Sequence, residues 1–260
     1  MRPGMLPKRE VKPRKTGVTM VMDKGLGLRQ AEDLCETTGH LIDFVKLGFG
    51  TSVVCRQVKE KVRMYQSQGI GVFVGGTLFE AFLVREQLDE YIRYIDDLGC
   101  DAMEISDGSI LLPHEEKCRL IGRFASTYTV LSEVGAKDAT VEADPATWAR
   151  SMSLELRAGS SFVIGEARES GNVGLYRKDG QADDSLVRGI MAAVAREKVI
   201  WEAPLKHQQL WFVRLLGTNV NLGNIDPAEV AALETLRLGL RGDTFFDFLP
   251  EAFASRKLKG

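Results

Sequence analysis

The stretch Gly17–Gly25, GVTMVMDKG, is an apolar run that stops on an acid and a lysine and then turns at a glycine. A strand covered on both faces reads as a continuous apolar run, and in a parallel sheet its carboxyl end opens onto the site. The same pattern returns in LIDFVKLGFG (41–50), GIGVFVGG (69–76), DAMEISDG (101–108), YTVLSEVGAKD (128–138), SSFVIGEARESG (160–171), VIWEAP (199–204) and TNVNLGNI (218–225). Each is followed by a helix-like segment. Eight strand–helix units in 260 residues have the size and rhythm of one α/β domain, a single (β/α)8 TIM barrel. Polar residues at strand carboxyl ends of such a barrel are candidates for chemistry. Here they form a ring of carboxylates and cations: Asp23, Lys24, Lys46, Glu104, Asp107, Glu133, Lys137, Glu166, Arg168, Glu202 and Asn221.

Bulk properties narrow the function classes. With 44% hydrophobic residues the chain can bury a large core. Net charge is −2, from 34 Lys+Arg against 36 Asp+Glu, so no nucleic-acid partner is expected, since such binding needs a basic surface. No apolar run approaches the roughly 18 residues a membrane span requires, so no membrane partner is expected. Residues 1–16 are basic and Pro-rich but lack the apolar segment of a signal peptide. They read as a disordered or surface-tracking tail. Cys35, Cys55, Cys100 and Cys118 are scattered with no C-x-x-C pair, which favours free thiols and a cytoplasmic location.

Along the chain, strands are expected near 17–24, 41–47, 70–74, 101–106, 128–133, 161–166, 199–203 and 218–222. A single helix is expected over 78–98, where Phe79, Phe82, Leu83, Leu88, Tyr91, Ile92 and Ile95 recur at helical spacing. Asp144-Pro145 and Asp226-Pro227-Ala228-Glu229 carry a capping acid followed by a first-turn proline. The connection from Ala167 to Asp183 is far longer than an ordinary βα loop, and Lys178-Asp179-Gly180-Gln181 in it reads as a tight hairpin turn. Such a loop suits a lid or binding role. No linker divides the chain, so the barrel is expected over 17–245, with a short extension over 246–260.

Glu104, Glu133, Glu166 and Glu202 each end an apolar run, and around a barrel mouth they would repel one another unless cations sit among them. Hard oxygen ligands in a half-open site suit Mg²⁺. Glu104, Glu166 and Glu202 are candidate ligands, with Glu133 as ligand or catalytic carboxylate. His40, His114 and His207 are neither clustered nor spaced for a soft metal. Lys46 and Lys137 suit acid or anchor roles better than imine formation, because nearby carboxylates favour the ammonium form. The turn Asn221–Ile225 before a capped helix is a candidate phosphate site, with Gly223 and Asn224 at its centre. Arg168 can hold a carboxylate or phosphate bidentately. The residues alone thus point to a Mg²⁺-assisted barrel enzyme acting on a small phosphorylated acid.

The strings TMVMDKGLGL (19–28), IDFVKLGFGTS (42–52), GGTLFE (75–80), EISDG (104–108), LSEVGAKD (131–138), GEARESGNVGLY (165–176), WEAP (201–204), NVNLGNI (219–225) and LETLRLGLRGDT (233–244) resemble the phosphosulfolactate synthase family, which includes the coenzyme M biosynthesis enzyme. The match runs from about Gly17 to about Thr244. It implies a Mg²⁺-dependent carbon–sulfur lyase that adds sulfite to the methylene carbon of phosphoenolpyruvate, giving (2R)-2-phospho-3-sulfolactate. On that chemistry Lys137 is the expected general acid. Lys46, Arg168, Gly223 and Asn224 would hold the anions, Lys24 would help bind sulfite, and the four glutamates would hold Mg²⁺ or support its ligands. Two positions depart from the family pattern: Val74 stands where a proline is expected, and His207 stands near where an acid is expected.

Two other readings stay open on the residues. One is an aldolase-like lyase on another small phosphorylated acid, with Lys46 or Lys137 forming an imine. The other is a non-catalytic barrel that binds a partner. Helix faces with exposed aromatics point to a homo-oligomer.

Overall fold

The computed structural model describes residues 6–135, 144–249 and 253. Its eight strands are β1 (Thr19–Asp23), β2 (Phe44–Leu47), β3 (Gly71–Val74), β4 (Ala102–Ile105), β5 (Thr129–Val134), β6 (Phe162–Gly165), β7 (Val199–Glu202) and β8 (Leu222–Ile225). The ladders are parallel, in the order β3-β2-β1-β8-β7-β6-β5-β4. The ends of this order, β3 and β4, lie side by side. Two carboxylates bridge the seam, accepting from backbone donors: Val72 N–H donates to Asp101 at 2.8 Å and Gly76 N–H to Glu104 at 2.7 Å. The result is a nearly closed (β/α)8 barrel.

Alternate residues of each strand face opposite ways. Met20, Phe73, Ala102, Leu131, Ile164 and Ile200 fill the barrel interior, with Phe44 edge-on to Phe73 and Phe162. The intervening residues Val21, Val45, Val72, Met103, Val130, Val163, Trp201 and Leu222 pack outward against the helices. Both faces are apolar, which is why the strands read as unbroken runs. The helices are α1 (Leu28–Thr38), α2 (Thr51–Val54), α3 (Val58–Ser67), α4 (Gly76–Leu83), α5 (Leu88–Leu98), α6 (His114–Phe124), α7 (Pro145–Ala158), α8 (Asp184–Met191), α9 (Lys206–Leu216) and α10 (Val230–Arg237). Asp144 caps α7 by accepting Thr147 N–H at 2.8 Å. Asp226 accepts Ala228 N–H at 3.0 Å, capping a 3-10 turn (Pro227–Glu229) that leads into α10.

Two expectations change. The helix expected over 78–98 is two helices, α4 and α5, broken where Glu86 takes a positive φ of 57°. A helix of about 21 residues would run about 30 Å, twice the height of strands four or five residues long. The break lets the aromatic stripe stay on the barrel, with Phe79 and Phe82 packed on Tyr91. The last strand begins four residues later than the expected 218, so Asn221 lies at its amino end.

Residues 6–16 strap the amino end of the barrel. Arg9 pairs with Glu234 at 2.9 Å and donates to Thr218 O at 2.9 Å. Lys12 donates to Gly39 O and Gln68 O, and Arg14 to Leu41 O and the Asp43 carboxylate. The fully buried Arg237 donates to Val220 O at 2.7 Å and Thr218 O at 3.0 Å. Beyond residue 245, Asp247 pairs with Arg214 at 2.8 Å and Phe248 packs on the core.

Candidate active site

The two-residue period that fills the barrel also builds its mouth. Lys46 follows the inward Phe44 by two residues; Glu104 follows Ala102, Glu133 follows Leu131, Glu166 follows Ile164 and Glu202 follows Ile200. All five therefore form one polar layer above the apolar one, and all are buried. Lys46 Nζ lies 2.8 Å from Glu104, 3.1 Å from Glu133 and 3.4 Å from Glu202. One carboxylate oxygen each from Glu133, Glu166 and Glu202 lie within 4.8 Å of one another, close enough to hold a metal ion. Above them opens a cavity of about 370 Å³ whose walls include Met22, Phe49, Thr77, Ser109, Arg168 and Asn224.

Burial opposes the charge on Lys46, but Glu104, Glu133, Glu202 and Glu166 outweigh it and hold the ammonium with a pKa well above the ordinary lysine value. That disfavours an imine at Lys46, which needs the free amine. Burial pushes Glu104 the other way, up to about 7, despite the neighbouring Lys46. Its Oε1 accepts Gly76 N–H, and a Cβ at Gly76 would collide with that oxygen and with Ser106 Oγ, so the position demands glycine.

The surrounding acids are structural ties. Asp23 accepts Gly25 N–H and Leu26 N–H at 2.8 Å each, and pairs with Lys61 at 2.7 Å. Asp107 pairs with Lys117 at 2.8 Å. Lys117, buried in α6, also donates to Glu133 O at 2.6 Å and pairs with Glu155 at 2.9 Å, so it anchors the carboxyl end of β5. Glu80 in α4 gathers Ser106 Oγ, Gly108 N–H and Ser109 N–H, shaping the loop after β4. Lys117 and Glu80 escaped the sequence reading. Each left a trace: a lysine in helical register with Leu120, Ile121 and Phe124, and a lone carboxylate in the apolar helix GTLFEAFL.

The remaining expected residues divide. Arg168 and Asn224 line the cavity. Lys24 lies at the rim, paired with Glu169 and with Asp226 at 3.4 Å. Asn221 is corrected: its Oδ1 accepts Val18 N–H at 3.0 Å and its Nδ2 donates to Glu197 O at 3.1 Å, both at the opposite end of the barrel from the cavity. Gly223 is corrected as well. It lies within β8, and a Cβ there would collide with Met20 and Ile200 of the interior. The turn expected at 221–225 is therefore strand, and the helix start beyond it already carries the Asp226 carboxylate. Lys137 lies outside the described residues.

The long connection after β6 folds back over the mouth. Tyr176 bridges Ala182 antiparallel, and Arg177 N–H donates to Gln181 O at 2.9 Å, which is the expected hairpin. Tyr176 OH donates to Glu202 O at 2.6 Å. Gln208 and His207 in α9 hold its Gly180 carbonyl, and Gln208 also holds Gly171 O at 2.8 Å.

A barrel with buried lysine and glutamates gathered at its carboxyl mouth is the architecture of a (β/α)8 enzyme. Sequence comparison makes this specific. The chain belongs to the (2R)-phospho-3-sulfolactate synthase (ComA) family, whose model matches residues 7–243. It is 44% identical over 246 residues to the phosphosulfolactate synthase of Methanothermobacter thermautotrophicus, covering 92% of this chain and 95% of that one. It is 39% identical over 244 residues to the phosphosulfolactate synthase of Bacillus subtilis, covering 93% and 97%. Among solved structures, the YdjI aldolase from Escherichia coli K12 superposes with a TM-score of 0.55 at 13% identity, over 93% of this chain and 85% of that one. That likeness is one of fold.

Proposed function

We propose that this chain adds sulfite to the methylene carbon of phosphoenolpyruvate with Mg²⁺ as cofactor, giving (2R)-2-phospho-3-sulfolactate. The observation that carries this reading is the buried layer of Lys46, Glu133, Glu166 and Glu202 under an open cavity, in a chain that matches the synthase family over residues 7–243. The layer fits a hard divalent cation. Its donors are all carboxylate oxygens, and among the described residues four buried glutamates surround a single ammonium, leaving negative charge for a cation to offset.

Glu133, Glu166 and Glu202 would hold the ion, with Glu133 taking the place expected for Glu104, whose carboxylate accepts Gly76 N–H and pairs with Lys46. Mg²⁺, when bound, supplies Lewis-acid stabilisation of the charge that develops on the substrate carboxylate. Sulfite sulfur bonds to the methylene carbon, the alkene electron pair moves toward the carboxylate, and a proton delivered to the adjacent carbon completes the addition. Lys137 is the proposed donor of that proton. Lys46, held charged, contributes a fixed positive field beneath the reacting carbons. Arg168, which lines the cavity, would take an anionic group bidentately. The insert after β6, fastened through Tyr176 and Gln208, would limit water at the mouth during reaction. Among the described residues no helix is long and apolar enough to cross a membrane, and Cys35, Cys55, Cys100 and Cys118 are free thiols. Both fit a cytoplasmic enzyme acting on small molecules, and we assign it a homo-oligomeric state.

The test is phosphoenolpyruvate consumption by the purified protein, followed by ³¹P NMR with and without sulfite and Mg²⁺. Loss that requires both, with a new phosphorylated sulfonate, is expected. A folded protein that leaves phosphoenolpyruvate intact under every condition would remove this reading.

A further inference from the structure

Asn224 combines three features that no anion-holding role explains. Its backbone takes a left-handed φ of 54° at the end of β8, a conformation asparagine tolerates better than most residues. The residue is only 6% exposed, yet lines the cavity with the glutamates. Its Nδ2 donates to Ala167 O at 3.1 Å, which fixes the amide with nitrogen toward the chain after β6 and oxygen on the other side. That oxygen, Oδ1, is buried and accepts no hydrogen bond.

A buried acceptor left without a donor is costly, and the neighbourhood offers little to relieve it. Lys46 Nζ donates to Glu133 and Glu202 and pairs with Glu104 at 2.8 Å, so it is already engaged by three carboxylates. The carboxylates have none to give when ionised. An anion would be repelled by Oδ1, so Asn224 does not anchor phosphate or sulfite through this atom. Asn224 lines the same cavity as Glu133, Glu166 and Glu202, and an amide oxygen that joins three carboxylates in one site suits a hard cation, since neutral amide oxygens and carboxylates are its normal ligands. The same chain segment reinforces the geometry: Ala167 N–H donates to Glu202 Oε2 at 2.9 Å, so one residue orients both Glu202 and Asn224.

We propose that Asn224 Oδ1 is a fourth protein oxygen of the cation site formed by Glu133, Glu166 and Glu202, bonded to the ion directly or through one of its waters. The proposal rests on the reading of those glutamates as the cation site. It gives Asn224 a role in holding the cation rather than the anionic substrate.

The test is Mn²⁺ binding to the purified protein, read from loss of the free-ion EPR signal and by competition with Mg²⁺, with no substrate present. Three variants accompany wild type: Glu166→Gln, Asn224→Gly and Asn224→Asp. Glycine accepts the left-handed backbone without strain and removes the oxygen. Aspartate keeps an oxygen while losing the donor to Ala167. The expected result is that Asn224→Gly weakens Mn²⁺ binding by about tenfold or more, Asn224→Asp stays within about threefold of wild type, and Glu166→Gln loses most binding. Wild-type affinity in folded Asn224→Gly overturns the proposal and leaves the glutamate site intact. Equal weakening in the Gly and Asp variants also overturns it, by showing that only the bond to Ala167 matters. No Mn²⁺ binding by wild type removes the glutamate site and this inference together.

Discussion

Lys46 meets three carboxylates at the buried floor of the cavity, with Nζ 2.8–3.4 Å from Glu104, Glu133 and Glu202. Removing one partner of a buried ion pair leaves uncompensated charge and costs about 3–5 kcal/mol. Lys46→Met is therefore expected to lose roughly that much stability in urea unfolding, together with its turnover. A variant as stable as wild type would mean that the carboxylates are relieved by protonation alone. Glu104 adds a pH signature. Its ordinary value is 4.5, and the folded chain raises it to about 7. Between these values the folded state holds a proton that the unfolded state has released, so stability falls as pH rises, by up to about 1.4 kcal/mol per pH unit. Glu104→Gln should flatten that fall over pH 4.5–7; an unchanged slope would locate it in another group. These five polar residues were legible because each ends an apolar run on the inward parity of its strand. Asn221 resembled them and was misplaced, because Val220 and Leu222 continue the same alternation whether Asn221 closes a strand or precedes one. Lys117 and Glu80 were hidden for a different reason: they reach the site from helices, through tertiary contacts that no local pattern encodes.

At the scale of elements, seven of eight strands fall where their apolar runs place them, since burial on both faces leaves a strand little freedom of register. Helix lengths were less legible. Periodicity continues from Phe79 to Ile95 across the break, and the limit on helix length comes from the height of the barrel. The insert after β6 was legible as a hairpin from its turn residues, but its attachment to α9 was not. Gln208 is the main fastening, accepting Leu205 N–H at 3.1 Å and donating to Gly171 O and Gly180 O. Gln208→Ala is expected to take from Gly171 O its side-chain donor and to leave Gly180 O with His207 alone. Amide hydrogen exchange over 171–182 should then speed up at least tenfold, with β1 to β8 unchanged and KM raised more than kcat. Unaltered exchange in the hairpin would assign the fastening to His207, whose Nε2 lies 3.1 Å from Gly180 O.

For the whole molecule, the amino end of the barrel is a stability layer and the carboxyl end a chemical one. Arg9 is the plainest case, because it ties residues near both ends of the chain while lying across the barrel from the cavity. Arg9→Ala is expected to destabilise by about 2–3 kcal/mol through lost charge-assisted bonds and to leave kcat/KM within about twofold. A tenfold loss of activity without loss of stability would contradict that division of labour. The same tie sets an order of assembly. Its partners stand 225 positions apart, and one of the two ladders that flank β1 is made with β8. On a ribosome adding about 5–20 residues per second, the first strand waits roughly 10–45 s for the residues that cover it. Throughout that interval the nascent chain carries an unpaired apolar edge, so closure of the ring waits on the synthesis of β8, and the cell's chaperones have longer access to β1 than to the strands that follow it.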